Sequence, residues 1–136
     1  MGRKRILVVD DEKDILEILT EVLSTAGFEV DAALSAQEAL ERIRDTIYDA
    51  AILDFNLPDM DGVMLHRQIR QMDRELAGKT LFMSGMVQSD ENLGYYAARS
   101  AGFVSKPFQV DDLLGSLLGV LGNRKVLPVL DEDVED

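Results

Sequence analysis

Two adjacent acids, Asp10 and Asp11, directly follow the apolar run Ile6-Leu7-Val8-Val9, and Asp54 directly follows Ala50-Ala51-Ile52-Leu53. Ser84 closes a third run, Leu81-Phe82-Met83, and Lys106 lies two residues beyond Phe103-Val104. Continuous apolar runs of this length suit strands covered on both faces, as in a parallel sheet between helices. Polar groups that end such strands share one rim. Two carboxylates about 4 Å apart repel by roughly 4 kcal/mol at an effective dielectric of about 20, and a third worsens the repulsion. A cation relieves it. The chain has no cysteine and a single histidine, His66, so the available donors are oxygens, which suit Mg²⁺ or Mn²⁺ and not zinc. Lys106 offers a second source of positive charge.

This set suits phosphoryl transfer. A metal neutralises phosphoryl oxygens, a lysine and a hydroxyl hold others, and a carboxylate can serve as nucleophile. Asp54 is the best nucleophile, because the apolar run before it and Phe55 after it limit its motion. No Gly-rich phosphate loop is present, so a nucleotide donor has no cradle and the phosphoryl group must come from something else. An acid after a strand can also cap the next helix, and Asp11 could do so. Capping explains one acid but not the convergence of three.

The elements that must position these groups are legible as an alternation repeated five times. Phe28-Glu29-Val30-Asp31-Ala32 alternates apolar with acidic, as an edge strand does, and Phe103-Val104 is short enough for the other edge. Between the runs lie helical stripes. Ile15, Leu19, Val22 and Ala26 end at Gly27; Ala39, Leu40 and Ile43 follow the Ser35–Glu38 capping pattern; Val63, Leu65, Ile69 and Met72 make a third stripe. Asp90 to Ala101 is the weakest helix, and Val110 to Leu121 the strongest. Five such units predict a doubly wound α/β fold, a five-stranded parallel sheet of order 2-1-3-4-5, flavodoxin-like, with right-handed crossovers. In that fold ligands bind outside the carboxyl ends of the strands, between strands one and three.

At 136 residues the chain fits one domain, able to bury about two-thirds of its unfolded surface without disulfides. With 14 basic and 26 acidic residues its formal charge is −12, which argues against a nucleic-acid surface. No apolar run is long enough for a bilayer span, and no secretory or myristoylation signal opens the chain; a cytoplasmic location is expected. The domain is expected over residues 4–122, and residues 123–136 read as an acidic tail or truncated linker, with a docking segment as the alternative.

Val8-Val9-Asp10-Asp11-Glu12, Leu53-Asp54-Phe55-Asn56-Leu57-Pro58-Asp59-Met60-Asp61-Gly62, Met83-Ser84-Gly85 and Lys106-Pro107-Phe108 together resemble the receiver domain of two-component response regulators. Each motif is weak alone; the four in order, each at its strand end, are specific. The resemblance implies a signalling phosphoacceptor and not an enzyme in the usual sense. In it Asp54 takes a phosphoryl group from a phosphohistidine of a sensor histidine kinase or phosphotransfer protein. It further implies that Asp11, Asp54 and the main-chain carbonyl of Asn56 bind Mg²⁺, with Asp10 acting through water. Ser84 would hydrogen-bond the phosphoryl oxygen, Lys106 would pair with it, and the Lys106–Pro107 bond would be cis. Phe103 would turn inward as Ser84 moves toward the phosphate, although it also reads as a plain edge-strand core residue. The face made by the weak fourth helix, strand five and the last helix is the expected output surface for a downstream protein, and a homodimer through it stays open. Met86 occupies a position that in receivers can limit water access to the phosphoaspartate.

Other residues take blander readings. His66 is expected to face solvent, Tyr95 and Tyr96 to lie on the fourth helix, and Asp59 and Asp61 to serve mainly the turn before Gly62. Two other functions remain. A haloacid-dehalogenase-type Mg-dependent phosphatase also uses an Asp after strand one, but it would need Asp111-Asp112 as its later acid pair. A receiver fold used only as a static interaction module would need a degraded site, and no site residue is missing. A domain starting near residue 4 leaves no room for a preceding kinase if Met1 is native, and the tail is too short for a DNA-binding module. A stand-alone receiver and one truncated in a linker both fit.

Overall fold

The computed structural model describes residues 2–85 and 102–122. The helix expected over Asp90 to Ala101, with Tyr95 and Tyr96, lies outside the described residues, as do Met86 and the tail 123–136.

Five strands, β1 (Arg5–Val9), β2 (Glu29–Ala33), β3 (Ala50–Asp54), β4 (Thr80–Ser84) and β5 (Gly102–Ser105), form one parallel sheet in the order β2-β1-β3-β4-β5. This is the expected order. Every residue of β3 and β4 is buried, whereas β2 is half-buried along most of its length. Central strands lose water on both faces, so their continuous apolar runs are a consequence of their place in the sheet.

Side chains alternate along each strand and feed two cores. Leu7, Val9, Ala51, Leu53 and Phe82 pack under α2 (Ala36–Asp45), α3 (Gly62–Met72) and α4, a single turn over Arg74–Ala77. Ile6, Val8, Ile52, Leu81, Met83 and Val104 pack under α1 (Lys13–Thr25) and α5 (Val110–Gly122). Among the described residues no helix is long and apolar enough to cross a membrane.

Caps set most helix ends. Gly27, at φ +102°, follows α1 in the left-handed region that glycine adopts at least cost. Ser35 accepts from the Glu38 N–H at the start of α2, and Asp61 accepts from the Met64 N–H at the start of α3. Asp73 both ends α3 and caps α4, accepting from the Leu76 N–H.

His66 corrects the sequence reading. It is fully buried, not solvent-facing: its Nε2 lies 2.8 Å from the Ala77 carbonyl oxygen and its ring centroid 5.5 Å from that of Phe82. The buried stripe of α3 is Gly62, Leu65, His66 and Ile69, not the stripe through Val63 and Met72. The turn α4, which has too few residues to show a periodicity, supplies the carbonyl.

Gly62 begins α3 where no side chain fits. A Cβ there would sit 2.7 Å from Phe55 Cδ1, 3.1 Å from Phe55 Cα and 3.1 Å from Phe82 Cε1. By contrast Gly115, exposed in the middle of α5, has nothing within 4 Å of a Cβ. Gly62→Ala should therefore destabilise the domain by about 1–3 kcal/mol, while Gly115→Ala should stabilise it by roughly 0.5–1 kcal/mol. Urea midpoints at unchanged slope measure both, and equal shifts of the same sign would contradict the packing argument.

Candidate functional site

Asp10, Asp54 and Lys106 meet at the carboxyl ends of β1, β3 and β5. Asp10 directly follows β1, and its N–H donates to the Ala33 carbonyl at 3.1 Å, which fixes its backbone against β2. Its Oδ1 accepts from the Glu12 N–H at 2.9 Å, and the residue is wholly buried. Asp54 ends β3, is 5% exposed, and its Oδ1 accepts from the Asn56 N–H at 3.3 Å. Lys106 follows β5, with its N–H bonded to the Ser84 carbonyl at 3.0 Å and a cis bond to Pro107. Its Nζ lies 2.9 Å from Asp10 Oδ2 and 3.4 Å from Asp54 Oδ2. One ammonium thus bridges two carboxylates that come from neighbouring central strands.

Burial and the neighbouring Asp10 charge raise the pKa of Asp54 above the usual carboxylate range, against the pull of Lys106 and of the Asn56 N–H. Burial also disfavours the charged form of Lys106. Its hydrogen bond to Asp10 and the charges of Asp54 and Asp10 outweigh that penalty, and its pKa rises. Each charge is held by the others.

Asp11 and Glu12 are exposed beside this pair. Asp10, Asp11 and Glu12 each offer an oxygen within 4.8 Å of the others. The donor set is all oxygen and strongly anionic, which fits a hard divalent cation and not a thiophilic one. Glu12 was not among the sequence candidates, although its adjacency to Asp10-Asp11 is a readable signal. Ser84, 3% exposed, ends β4 opposite Ser105 of β5. Asn56 is exposed and pairs with Asp61 in a short antiparallel bridge, while the Gly62 N–H closes the same loop on the Phe55 carbonyl at 2.8 Å. Phe103 of β5, opposite Phe82 in register, is half-buried against the core under α2 and α3. Asp59 does more than turn chemistry: its carboxylate receives the Ala36 and Gln37 N–H groups of α2.

Comparison with known proteins gives this arrangement a context. A family profile described as the response regulator receiver domain matches residues 6–118. The transcriptional regulatory protein PrrA of Mycobacterium leprae is 33% identical over 120 residues, covering 88% of this chain and 51% of its own length. The chain spans about half the length of that relative. A solved response regulator receiver domain protein (CheY-like) from Methanospirillum hungatei superposes with a TM-score of 0.82 at 31% identity, covering 88% of this chain and 94% of that one. The response regulator TrrA of Thermotoga maritima, solved in complex with Mg²⁺–BeF, superposes with a TM-score of 0.77 at 33% identity, covering 87% and 99%.

The charge balance at Lys106 has a measurable consequence. Because the pKa of Asp54 is raised on folding, the folded chain holds that proton more tightly than the unfolded chain. The stabilisation from Asp54 is complete in acid and is lost as pH rises through its folded pKa. Asp54→Asn should therefore raise the Tm of the metal-free protein at neutral pH by about 2–6 °C, with the gain shrinking in acid. Lys106→Ala strands two buried carboxylates and should cost about 3 kcal/mol at neutral pH, again less in acid. Thermal melts across pH measure both, and a neutral-pH loss in Asp54→Asn would refute the electrostatic account.

Proposed function

Since this chain belongs to the response regulator receiver domain family, we propose that it accepts a phosphoryl group on Asp54 and converts that event into a change of its partner-binding face. It is a receiver domain of two-component response regulators, a signalling domain and not a classical enzyme. The observation that carries the finer reading is the Lys106 ammonium shared between Asp10 and Asp54 at 2.9 and 3.4 Å.

An Asp54 carboxylate oxygen attacks the phosphorus of a phosphohistidine. The P–O bond forms as the P–N bond breaks, and the leaving imidazole keeps the electron pair. Desolvation of Asp54, visible in its raised pKa, leaves the carboxylate less stabilised and so more nucleophilic. Asp11, Asp54 and the Asn56 main-chain carbonyl would hold Mg²⁺, with Asp10 acting through water, a set of oxygens that suits this hard cation. The oxygens of Asp10, Asp11 and Glu12 lie within 4.8 Å of one another on the same rim. When bound, that ion neutralises phosphoryl oxygens and screens the carboxylates from one another. Lys106 then has a third anionic group to serve, and its flexible stem lets it turn from Asp54 to a phosphoryl oxygen. The Ser84 hydroxyl donates to another.

The read-out runs along β5. Lys106 is bonded through its N–H to Ser84, so a shift of Ser84 toward the phosphoryl group pulls on the strand carrying Phe103. Phe103 is half-buried and turns further inward. A cavity of about 550 Å³ on this flank is lined by Phe103, Ser105, Pro107, Phe108, Asp112 and Ser116, and it lies on the face where a downstream protein would dock. The phosphodonor is a sensor histidine kinase or a phosphotransfer protein.

The two competing functions gain no support. Asp111 and Asp112, needed by the phosphatase reading, are exposed in the first turn of α5. The static-module reading needs a broken site, whereas Asp10, Asp54 and Lys106 are present and paired.

Incubation with acetyl phosphate and Mg²⁺, followed by intact-mass measurement, should show one added phosphoryl group, lost in Asp54→Asn and on chelation. Lys106→Ala should impair the switch more than it impairs binding of the metal. A phosphoryl group that persists in Asp54→Asn would place the acceptor elsewhere.

A further inference from the structure

The loop after Asp54 is held at three places. Its neck is closed by the Asn56–Asp61 bridge and the Gly62 N–H to the Phe55 carbonyl. Its underside is pinned by Leu57, 8% exposed, and by Met60, both packed on the core under α2 and α3. Its third support comes from Asp59, whose Oδ1 accepts from the Ala36 N–H and whose Oδ2 accepts from the Gln37 N–H, each at 3.0 Å. Burial works to raise the pKa of Asp59, but these backbone bonds lower it, as a carboxylate placed on helix N–H donors requires.

The division of labour at this helix end is informative. Ser35, the local cap, takes only the Glu38 N–H. The first two N–H groups of α2 are served by a residue more than twenty positions away, in the loop that carries Asn56. A cap for α2 alone needs no such partner, because Ser35 and its neighbours could reach those donors or water could satisfy them. The bonds fix the loop at least as much as they fix the helix.

We propose that Asp59 is a positioning residue for the cation site, locking the β3–α3 loop to the α2 N-terminus so that the Asn56 carbonyl keeps its orientation. This rests on the phosphoacceptor reading above. Asp59 touches neither the cation nor the phosphoryl group; it acts through the loop. Partners that orient a metal ligand commonly change affinity by about 10-fold or more when removed, and a support three residues from the ligand belongs at the lower end of that range.

The test uses Mn²⁺ as the probe, with free Mn²⁺ followed by electron paramagnetic resonance in the whole 136-residue chain. Asp59→Ala should weaken Mn²⁺ binding by about 3- to 10-fold. It should slow acetyl phosphate labelling at limiting metal and leave the rate near wild type at saturating metal. Asp59→Asn, which keeps one acceptor oxygen, should recover much of the affinity. Ser35→Ala supplies the control, since it removes the α2 cap without touching the loop: its Tm should fall while its Mn²⁺ affinity stays at the wild-type value. Unchanged Mn²⁺ affinity in folded Asp59→Ala would overturn the proposal, and so would an equal loss in Ser35→Ala. If the wild-type chain neither binds Mn²⁺ nor takes a label, the phosphoacceptor reading itself fails, which separates that failure from this one.

Discussion

The organising constraint is electrostatic: Asp10 and Asp54 are buried side by side, and one ammonium holds them there. Two carboxylates about 4 Å apart repel by roughly 4 kcal/mol at an effective dielectric of about 20, and burial adds a desolvation cost to each. Lys106 offsets both terms, but only because the sheet order places β5 two strands from β3, close enough for a long side chain to reach back over β4. The acids come from the most deeply packed part of the molecule and the lysine from its edge. On the proposed function, new negative charge at Asp54 would therefore be felt at the edge strand, where little buried area opposes movement.

This constraint explains which parts of the fold were legible in the sequence. Central strands must be apolar on both faces, so β1, β3 and β4 announced themselves as continuous runs, and the polar residue ending each run marked the rim. Asp10, Asp54 and Ser84 were readable for that reason, and Lys106 by its place two residues beyond the short edge run Phe103-Val104. What escaped were features fixed by contacts between distant segments. His66 looked like a polar residue beside an apolar stripe, yet the stripe is shifted by the turn of chain over Arg74–Ala77, whose Ala77 carbonyl receives the ring. Asp59 looked like turn chemistry because its partners, Ala36 and Gln37, belong to another helix. Neither contact leaves a periodic trace in the chain.

The site also shows a tension between stability and function. A carboxylate whose pKa is raised on folding is one whose ionised form the fold disfavours, so Asp54 weakens the domain at neutral pH in the absence of a cation. The surrounding structure tolerates this because its two cores are continuous: Leu53, next to Asp54, packs under α2 and α3, while Ile52, one residue earlier, packs under α1 and α5. Rigid walls on both sides keep a destabilising group in place.

A comparison of the two ends of the sheet shows why the bridging cation is a lysine. At the amino end, Arg5 pairs with Glu29 at 2.7 Å and with Asp31 at 3.4 Å, and Asp31 also accepts from the Tyr48 hydroxyl at 2.7 Å. Burial and that hydrogen bond push the Tyr48 pKa up to about 12, so its hydroxyl stays a donor to Asp31 under ordinary conditions. A planar guanidinium donates in fixed directions and suits a fixed partner set. At the carboxyl end the proposed phosphoacceptor role sets the opposite requirement, because the anionic groups would change when a phosphoryl group arrives. An ammonium is a compact charge on a flexible stem, with no bidentate geometry to lose, and it can trade one oxygen for another at little cost. On the proposed function the same sheet carries a fixed ion-pair network where its strands begin and an exchangeable one where they end.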